Sequence, residues 1–452
     1  MKTIAAISTA PAVGGIGVIR ISGEEALKIG EKVFSPKDKK KSISSLKGYT
    51  AAFGHIVKDG ETIDECIATV FRAPHSYTGE DIVELSCHGG IFLLNKVLEF
   101  VIESGAEPAQ AGEFTKRAFL NGKTDLTGAE AVCNIISSQG NTALRAALAA
   151  KDGNLYRKIN EILHKLTQLS AHMSAWVDYP DDEIEELGYD NLNRRFTLCL
   201  DELKKLVKTF DSGQVVTEGI NTVIAGRTNA GKSSLMNILC GENKSIVTDI
   251  EGTTRDVVEV SVRVGNAVLN LADTAGLRKT DDKVEKIGID GAKKRINSAG
   301  FVLAVFDGSQ RITPQDKELL EMIRDIPHII VINKSDLPLK LECECFSDEP
   351  CVQISARDKS GIDELKAAVE KVLGTENFDP YAPLLANQRQ RDCCKRAVKY
   401  LEEAIEATQL GMTMDAVNVS LDCSISALLE LTGERATEKI VDNIFEQFCV
   451  GK

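Results

Sequence analysis

Residues 226–233 read Gly-Arg-Thr-Asn-Ala-Gly-Lys-Ser; an apolar run precedes them and a helical run follows. A glycine-rich loop between a strand and a helix turns backbone amides and the positive end of the helix towards phosphate. Lys232 supplies positive charge to the outer phosphates, and the Ser233 hydroxyl can ligate magnesium. The stretch therefore predicts a nucleotide-binding α/β domain. The residues expected to contact the nucleotide here are Asn229, Ala230, Gly231, Lys232, Ser233 and Ser234.

A second motif ends another apolar run and consists of Asp273, Thr274, Ala275 and Gly276, all expected to contact the nucleotide. Asp273 stands where a carboxylate holds the magnesium shell, and the Gly276 amide stands where it meets the terminal phosphate. Upstream, a polar loop offers Thr254 to complete the magnesium shell. Together with the first motif, these residues predict hydrolysis of a nucleotide triphosphate with magnesium.

A third motif, Asn-Lys-Ser-Asp at 333–336, follows the apolar run 328–332 and identifies the base. Guanine presents a ring N–H and an exocyclic amine on one edge, and the Asp336 carboxylate can accept from both. Adenine does not offer that pair of donors, so the motif predicts GTP. The residues expected around the base are Asn333, Lys334, Asp336 and, in the loop that backs it, Ser355 and Ala356.

The group that orients the attacking water is not given by the motifs. Leu277 stands where Ras-like enzymes carry a glutamine for this task. Glu285, in the acidic stretch that follows, is the nearest group able to place a water, directly or through a second one. The same residue is equally consistent with an exposed surface glutamate.

The rest of the chain predicts two further kinds of domain. Residues 1–118 alternate short β-type runs with turns, which indicates a small α+β domain. Residues 119–214 and 379–452 carry apolar side chains at helical spacing, including a stripe from Ile159 to Trp176. Each helical block alone is short of core, so a single discontinuous helical domain, interrupted by the α/β domain at 215–378, is the economical arrangement.

Composition limits the classes of function. The chain has 452 residues, a net charge of −13 and no apolar run long enough to span a bilayer. A negative balance argues against broad adhesion to nucleic acid, so an RNA partner would need a local site. The twelve cysteines show no metal-ligand spacing, and reduced thiols are the simpler interpretation. We expect a cytoplasmic protein with no membrane partner.

The chain as a whole resembles the MnmE (TrmE) family of tRNA-modification GTPases. The segments that carry the resemblance are residues 14–23, 76–81, 112–123, 249–256 and 448–452. It implies an N-terminal α+β, folate-binding-like domain that dimerises, a discontinuous α-helical domain and an inserted Ras-like P-loop GTPase domain. It further implies a heterotetramer with the FAD protein MnmG that adds an aminomethyl or carboxymethylaminomethyl group to carbon 5 of the wobble uridine of certain tRNAs.

The resemblance also implies residues and cofactors that the motifs alone do not. For 5-formyltetrahydrofolate or a related folate, the matching positions are Arg20, Glu84, Lys123 and Lys452. For an activating potassium ion, the implied ligands are Asn229, Thr248, Ile250 and Thr253, although Asn229 also suits a turn. Such an ion would offset developing charge in place of an arginine finger. Cys449 is a family feature whose role, catalytic, structural or incidental, stays open.

Two other functions compete with this interpretation. Ribosome-assembly GTPases share the phosphate loop and the segment 249–256, but they usually append a basic RNA-binding module, and this chain is acidic. Alternatively, the GTP cycle drives only the opening and closing of a scaffold, and the modification chemistry resides wholly in MnmG. The sequence does not separate the scaffold from a direct role in the chemistry.

Overall fold

A computed structural model describes residues 1–178, 188–242, 260–271, 296–341, 346 and 349–452. The chain divides into two compact units: the first contains residues 1–133 and 428–452, and the second contains residues 134–427. The four domain boundaries expected from the sequence remain predictions beside this division. The mixture of α/β and α+β architecture is confirmed by the two sheets described below.

The strands are numbered in chain order. They are β1 (Ile4–Ile7), β2 (Gly17–Ser22), β3 (Phe34–Pro36), β4 (Thr50–Lys58), β5 (Glu61–Phe71), β6 (Ile82–Cys87), β7 (Glu107–Pro108), β8 (Ile220–Ala225), β9 (Val260–Val264), β10 (Ala267–Leu271), β11 (Phe301–Asp307), β12 (His328–Asn333) and β13 (Cys351–Gln353).

The helices are numbered in the same way. They are α1 (Ala26–Val33), α2 (Ile91–Glu103), α3 (Glu113–Leu120), α4 (Leu126–Ser137), α5 (Asn141–Lys151), α6 (Asn154–Asp178), α7 (Tyr189–Thr217), α8 (Lys232–Glu242), α9 (Pro314–Ile323), α10 (Ile362–Val372), α11 (Gln388–Gln409), α12 (Met414–Thr432) and α13 (Glu438–Phe445). None of the helices in the described ranges is both long and apolar enough to cross a membrane.

The first unit is built on a seven-stranded sheet in the order β3-β4-β5-β6-β2-β1-β7. Only β1 and β7 pair in parallel; the other neighbours are antiparallel. Along β5, buried and more exposed side chains alternate, because one face of the sheet is covered and the other is not. Apolar residues of α1 and α2 pack in the same core as those of the strands.

Within this unit, the end of the chain packs against α3 and α4. Phe445 and Phe448 join Leu126 in an apolar cluster. Gly112 precedes α3 with φ of 65°, and a Cβ there would lie 2.5 Å from the Phe445 carbonyl oxygen, so only glycine fits. The Gly112 and Phe114 amides donate to the carbonyls of Cys449 and Lys452. The last residues are therefore held by backbone hydrogen bonds.

The sheet of the second unit has the order β13-β12-β11-β8-β10-β9 among its described strands. All pairs are parallel except β9 with β10. Every side chain of β11 and β12 is buried, because apolar clusters lie on both faces of the sheet. This is the α/β arrangement expected from the alternating strands and helices.

The predicted apolar stripe is buried in the helices of the second unit. In α6, Ile159, Leu166 and Met173 are buried, and Trp176 is half-buried. Helices α7 and α11 pack directly on each other: the Cys394 thiol lies 3.7 Å from the Leu203 carbonyl oxygen. The late helix α11 thus packs on the early helix α7 within the second unit, whereas the single discontinuous helical domain remains a prediction.

A buried ionic network in the first unit joins two of the family segments. Arg117 is only 4% exposed. Its Nη1 donates to both carboxylate oxygens of Glu80 at 3.1 Å, and its Nη2 donates to Glu113 at 2.8 Å. The Ser22 hydroxyl also donates to Glu80 at 2.7 Å. A buried charge is tolerated only when it is paired, so segments 76–81 and 112–123 depend on each other.

Replacing Arg117 with methionine should destabilise the first unit by about 3 kcal/mol or more, because the largely buried carboxylates of Glu80 and Glu113 lose their cation. Lys116→Met is the matched control. Its ion pair with Asp442 is more exposed, and its loss should cost less than about 1 kcal/mol. Hydrogen exchange of β2 and β6 amides measures both values within this unit, and equal values would contradict the expectation.

Candidate nucleotide site

The phosphate loop connects β8 to α8 and depends on two glycines. Gly226 has φ of 147°, and a Cβ there would lie 2.2 Å from the Val305 carbonyl oxygen. Gly231 has φ of 101°, and its Cβ would lie 1.9 Å from the amide nitrogen of Asn333. Because α8 begins at Lys232, the free amides of its first turn lie at the end of this loop.

Lys232 lies across the loop. Its ammonium group donates to the carbonyl oxygens of Gly226 at 2.8 Å and Arg227 at 2.7 Å. Burial lowers the pKa of Lys232, because it disfavours the charged form. An anionic phosphate beside this ammonium would oppose that effect, which is the interaction expected of the phosphate-loop lysine.

Arg227, whose position the motif leaves unspecified, anchors the loop from behind. Its Nε lies 2.9 Å from Asp316, which is 2% exposed. Asp316 also accepts from the backbone and hydroxyl of Thr313, forming a capping box at the start of α9. This contact is not predicted by the sequence motifs. The spacing of Thr313, Pro314 and Asp316 is a capping signature, but it does not indicate the partner Arg227.

Asn333 joins the phosphate loop to the loop that contains Ser355 and Ala356. Its side-chain nitrogen donates to the Ala230 carbonyl oxygen at 2.9 Å, and its side-chain oxygen accepts from the Ala356 amide at 3.0 Å. The residue is 2% exposed. Both of its polar atoms are thus used to hold two protein loops together.

Lys334 has φ of 67° and pairs with Asp307 at the end of β11, with 2.6 Å between Nζ and Oδ2. Burial tends to raise the pKa of Asp307, but hydrogen bonds from Lys334 and Ser309 outweigh this and lower it. The paired carboxylate fixes the direction of the Lys334 side chain at the end of β12.

Asp336 is oriented by a serine. Its Oδ1 accepts from the Ser355 hydroxyl at 2.9 Å, and that hydroxyl oxygen accepts from the Asp358 amide at 3.1 Å. Ser355 is 1% exposed, whereas the Asp336 side chain is 15% exposed. The Arg357 guanidinium lies 4.0 Å from Oδ2 of Asp336. The carboxylate therefore has a fixed direction and an oxygen left to accept from a base.

A cavity of about 640 Å³ connects these parts. The predicted residues that line it are Asn229, Gly231, Lys232, Ser233, Ser234, Asn333, Lys334, Asp336 and Ala356. Leu337 and Arg357 also line it and were not predicted. Ala230 and Ser355 support the cavity through the hydrogen bonds given above. The predicted residues that lie outside the described residues are Thr248, Ile250, Thr253, Thr254, Asp273, Thr274, Ala275, Gly276 and Glu285.

In the first unit, Arg20 and Glu84 lie opposite each other on β2 and β6. Arg20 Nε donates to Glu84 at 2.8 Å, and Nη1 donates to the Gly451 carbonyl oxygen at 3.3 Å. The Arg20 guanidinium lies 5.4 Å from the ring centroids of both Tyr77 and Phe114. The structure thus brings Arg20 and Glu84 to the end of the chain.

The other residues implied for folate and modification lie around the same unit. The Lys452 carbonyl oxygen accepts from the Phe114 amide at 3.1 Å. The Lys123 ammonium is engaged elsewhere, by the Pro74 carbonyl oxygen at 3.0 Å. Cys449 is exposed. Burial, followed by the charge of Cys449, raises the pKa of Cys133 to about 11.

Two family models match the chain: the MnmE helical domain over residues 126–449 and the N-terminus of GTP-binding protein TrmE over residues 3–123. The tRNA modification GTPase MnmE of Clostridioides difficile is 41% identical over 455 residues, which cover 100% of this chain and 99% of that protein. The chain belongs to the MnmE family.

Further MnmE-family relatives include the protein of that name from Thermoanaerobacter pseudethanolicus, which is 40% identical and has the same coverage. Among solved structures, translation elongation factor SelB from Methanococcus maripaludis covers 35% of this chain at 22% identity, with a TM-score of 0.28.

Membership of the MnmE family confirms the recognition made from the five segments and the expected class of enzyme, a GTP hydrolase. The matches extend over both the N-terminal and the helical parts, which counts against the ribosome-assembly alternative. The roles of the individual site residues remain predictions.

Replacing Asp336 with asparagine should weaken GTP binding by about 100-fold, because an amide donor then faces the donors of guanine. Oδ1 of the new side chain can still accept from Ser355, so the loop is retained. Xanthosine triphosphate, which has an acceptor at that position, should bind better than GTP. Titration calorimetry with both nucleotides measures the change; unchanged GTP affinity would show that another group reads the base.

Proposed function

We propose that this protein hydrolyses GTP and thereby supports modification of carbon 5 of the wobble uridine in certain tRNAs. The observation that carries the proposal is the cavity that joins the phosphate loop to Asp336. Glycines, Lys232 and the first turn of α8 suit a triphosphate, and the oriented Asp336 carboxylate suits guanine. The tRNA substrate is supported by relatives named tRNA modification GTPases that match over the full chain.

Magnesium would be held by Ser233 and Thr254, with Asp273 in its shell. Ser233 fits this role, since it is exposed at the start of α8 and lines the cavity. Bound there, magnesium supplies charge that stabilises the phosphates. Glu285 would position the attacking water. Thr254, Asp273 and Glu285 lie outside the described residues, so their assignment rests on the motifs.

Potassium would be held by Asn229 with oxygens of Thr248, Ile250 and Thr253. Asn229 lines the cavity, and its amide oxygen suits a large monovalent cation. Its φ of 62° also gives a backbone reason for asparagine, because this region favours glycine and asparagine. The ion would supply positive charge beside the transferring phosphoryl group. A test must therefore distinguish the effect of the Asn229 amide group on ion binding from its effect on the backbone conformation.

A second site for a formylated folate is proposed around Arg20, Glu84 and Lys452, to which Lys123 would contribute on leaving the Pro74 carbonyl oxygen. The donor set fits: a carboxylate accepts from a pterin edge, while cationic groups pair with the glutamate tail. The pairing of Arg20 with both Glu84 and the Gly451 carbonyl supports a role for the chain end in this site. Cys449, exposed beside it, is a candidate for the modification chemistry.

The proposed partners are a second copy of the chain and the FAD protein MnmG, in a heterotetramer that acts on tRNA in the cytoplasm. A strain that lacks this protein should lose the wobble-uridine modification, and the wild-type gene should restore it. Mass spectrometry of tRNA nucleosides measures this loss. Intact modification in the deletion strain would contradict the proposed function. Full restoration by a gene that carries Asp336→Asn would contradict the link to GTP.

Potassium should accelerate GTP turnover far more than sodium at equal ionic strength, because only potassium would match the proposed ligands. In Asn229→Gly, which keeps the positive φ but removes the amide, the difference should vanish while GTP affinity changes less than about threefold. Asn229→Ala adds backbone strain and serves as the comparison. Equal wild-type rates in the two salts would exclude the potassium site.

Removing residues 449–452 should abolish wobble modification and formyl-tetrahydrofolate binding while GTP turnover stays close to that of the full chain. The tail bonds to Gly112, Phe114 and Arg20 in the first unit, whereas the nucleotide cavity belongs to the second. Cys449→Ser distinguishes the thiol from the tail, since it leaves the backbone bonds intact. Loss of GTP turnover with folate binding preserved would contradict this assignment.

A further inference from the structure

Helices α7 and α11 run antiparallel and leave a groove on their outer side. The antiparallel direction follows from their contacts: Arg391 stacks 4.6 Å from the Phe210 ring centroid, while Thr408 bonds with Asn193 at the other end. A groove of about 360 Å³ runs between the helices. We call it the lysine groove; its lining residues are Asp201, Lys204, Lys205, Val207, Lys208, Lys395 and Val398.

The lysine groove carries more positive than negative charge, in a protein of net charge −13. Its four lysines are all exposed, and Asp201 is the only acidic residue among its described lining. On α7, Lys204 and Lys208 lie one turn apart on the same face, roughly 6 Å along the axis. Val207 and Val398 are half-buried and give the groove an apolar floor.

Two of the carboxylates close to these lysines are engaged by other side chains or by one of the four. Glu202 accepts from Lys158 at 2.8 Å and from Lys165 at 2.9 Å. Glu402 pairs with Lys204 at 2.7 Å. Within the part of the chain that the structure describes, Lys205, Lys208 and Lys395 form no ion pair with a carboxylate. Three ammonium groups on two packed helices therefore remain available to an anionic partner.

We propose that the lysine groove binds the sugar–phosphate backbone of the tRNA on which the proposed function acts. An acidic protein repels RNA over most of its surface, so binding requires a local concentration of positive charge. Lysine ammonium groups on flexible stems contact phosphates without reading bases, which suits a protein that acts on more than one tRNA. The valine floor can contact ribose. This inference rests on the proposed function and assigns a docking surface to its substrate.

The test compares tRNA binding by full-length variants over a range of KCl concentrations. The probe is a fluorescein-labelled tRNA transcript with uridine at the wobble position. In K205Q/K208Q/K395Q, the slope of log affinity against log salt should become shallower by about 2 to 3, and affinity at low salt should fall about tenfold or more. K205R/K208R/K395R keeps the charge and should keep both the wild-type slope and affinity.

The matched control is K39Q/K40Q/K41Q, which changes net charge equally at an exposed run of the first unit. Thermal unfolding checks that all variants are folded. Equal losses in the groove and control variants, or no loss in either, would overturn the docking surface. The proposed function fails separately, if the wild-type chain neither hydrolyses GTP nor supports wobble modification in cells. If the wild-type protein binds tRNA and K205Q/K208Q/K395Q binds it equally well, the docking surface is refuted while the proposed function stands.

Discussion

The nucleotide site depends on the buried side chain of Asn333. Its amide group donates to Ala230 in the phosphate loop and accepts from Ala356 in the loop that follows β13. The Asn333 amide occupies the space that a Cβ at position 231 would need, so only glycine fits there. The conformation of the phosphate loop and the position of Asn333 therefore depend on each other. A buried amide that lost either partner would leave an unsatisfied polar group. The distance between the two loops is thus set by one residue that lies between them.

Around this contact, charged residues position the loops from outside the cavity. Asp316 holds Arg227 behind the phosphate loop, and Asp307 holds Lys334 at the base side. Both aspartates are almost fully buried, so their pairing fixes the loops without competing with a ligand for the cavity. Ser355 orients the Asp336 carboxylate in the same way, through a hydrogen bond from an uncharged hydroxyl. The residues that line the cavity are therefore oriented before a nucleotide binds, which lowers the cost of ordering them.

The first unit also fixes the position of residues 449–452. Here the backbone of 449–452 bonds to Gly112, Phe114 and Arg20. The ionic network of Arg117 with Glu80 and Glu113 stabilises the same helix, α3, that receives the tail. The family segments 76–81 and 112–123 are thus explained by packing as well as by any ligand.

Local patterns in the sequence were sufficient to predict the phosphate loop, the apolar stripe of α6 and the α/β sheet of the nucleotide domain, and they selected Asp336, which lines the cavity. These features depend on residues that are close in sequence, where spacing determines which side chains share a face or a turn. The partner of Arg227, the bridging role of Asn333 and the engagement of Arg20 by the chain end required the tertiary structure. They join residues 103 positions apart for Asn333 and Ala230, and 431 apart for Arg20 and Gly451. A local sequence pattern does not predict such a contact, because the packing of whole helices and strands determines which distant residues become neighbours.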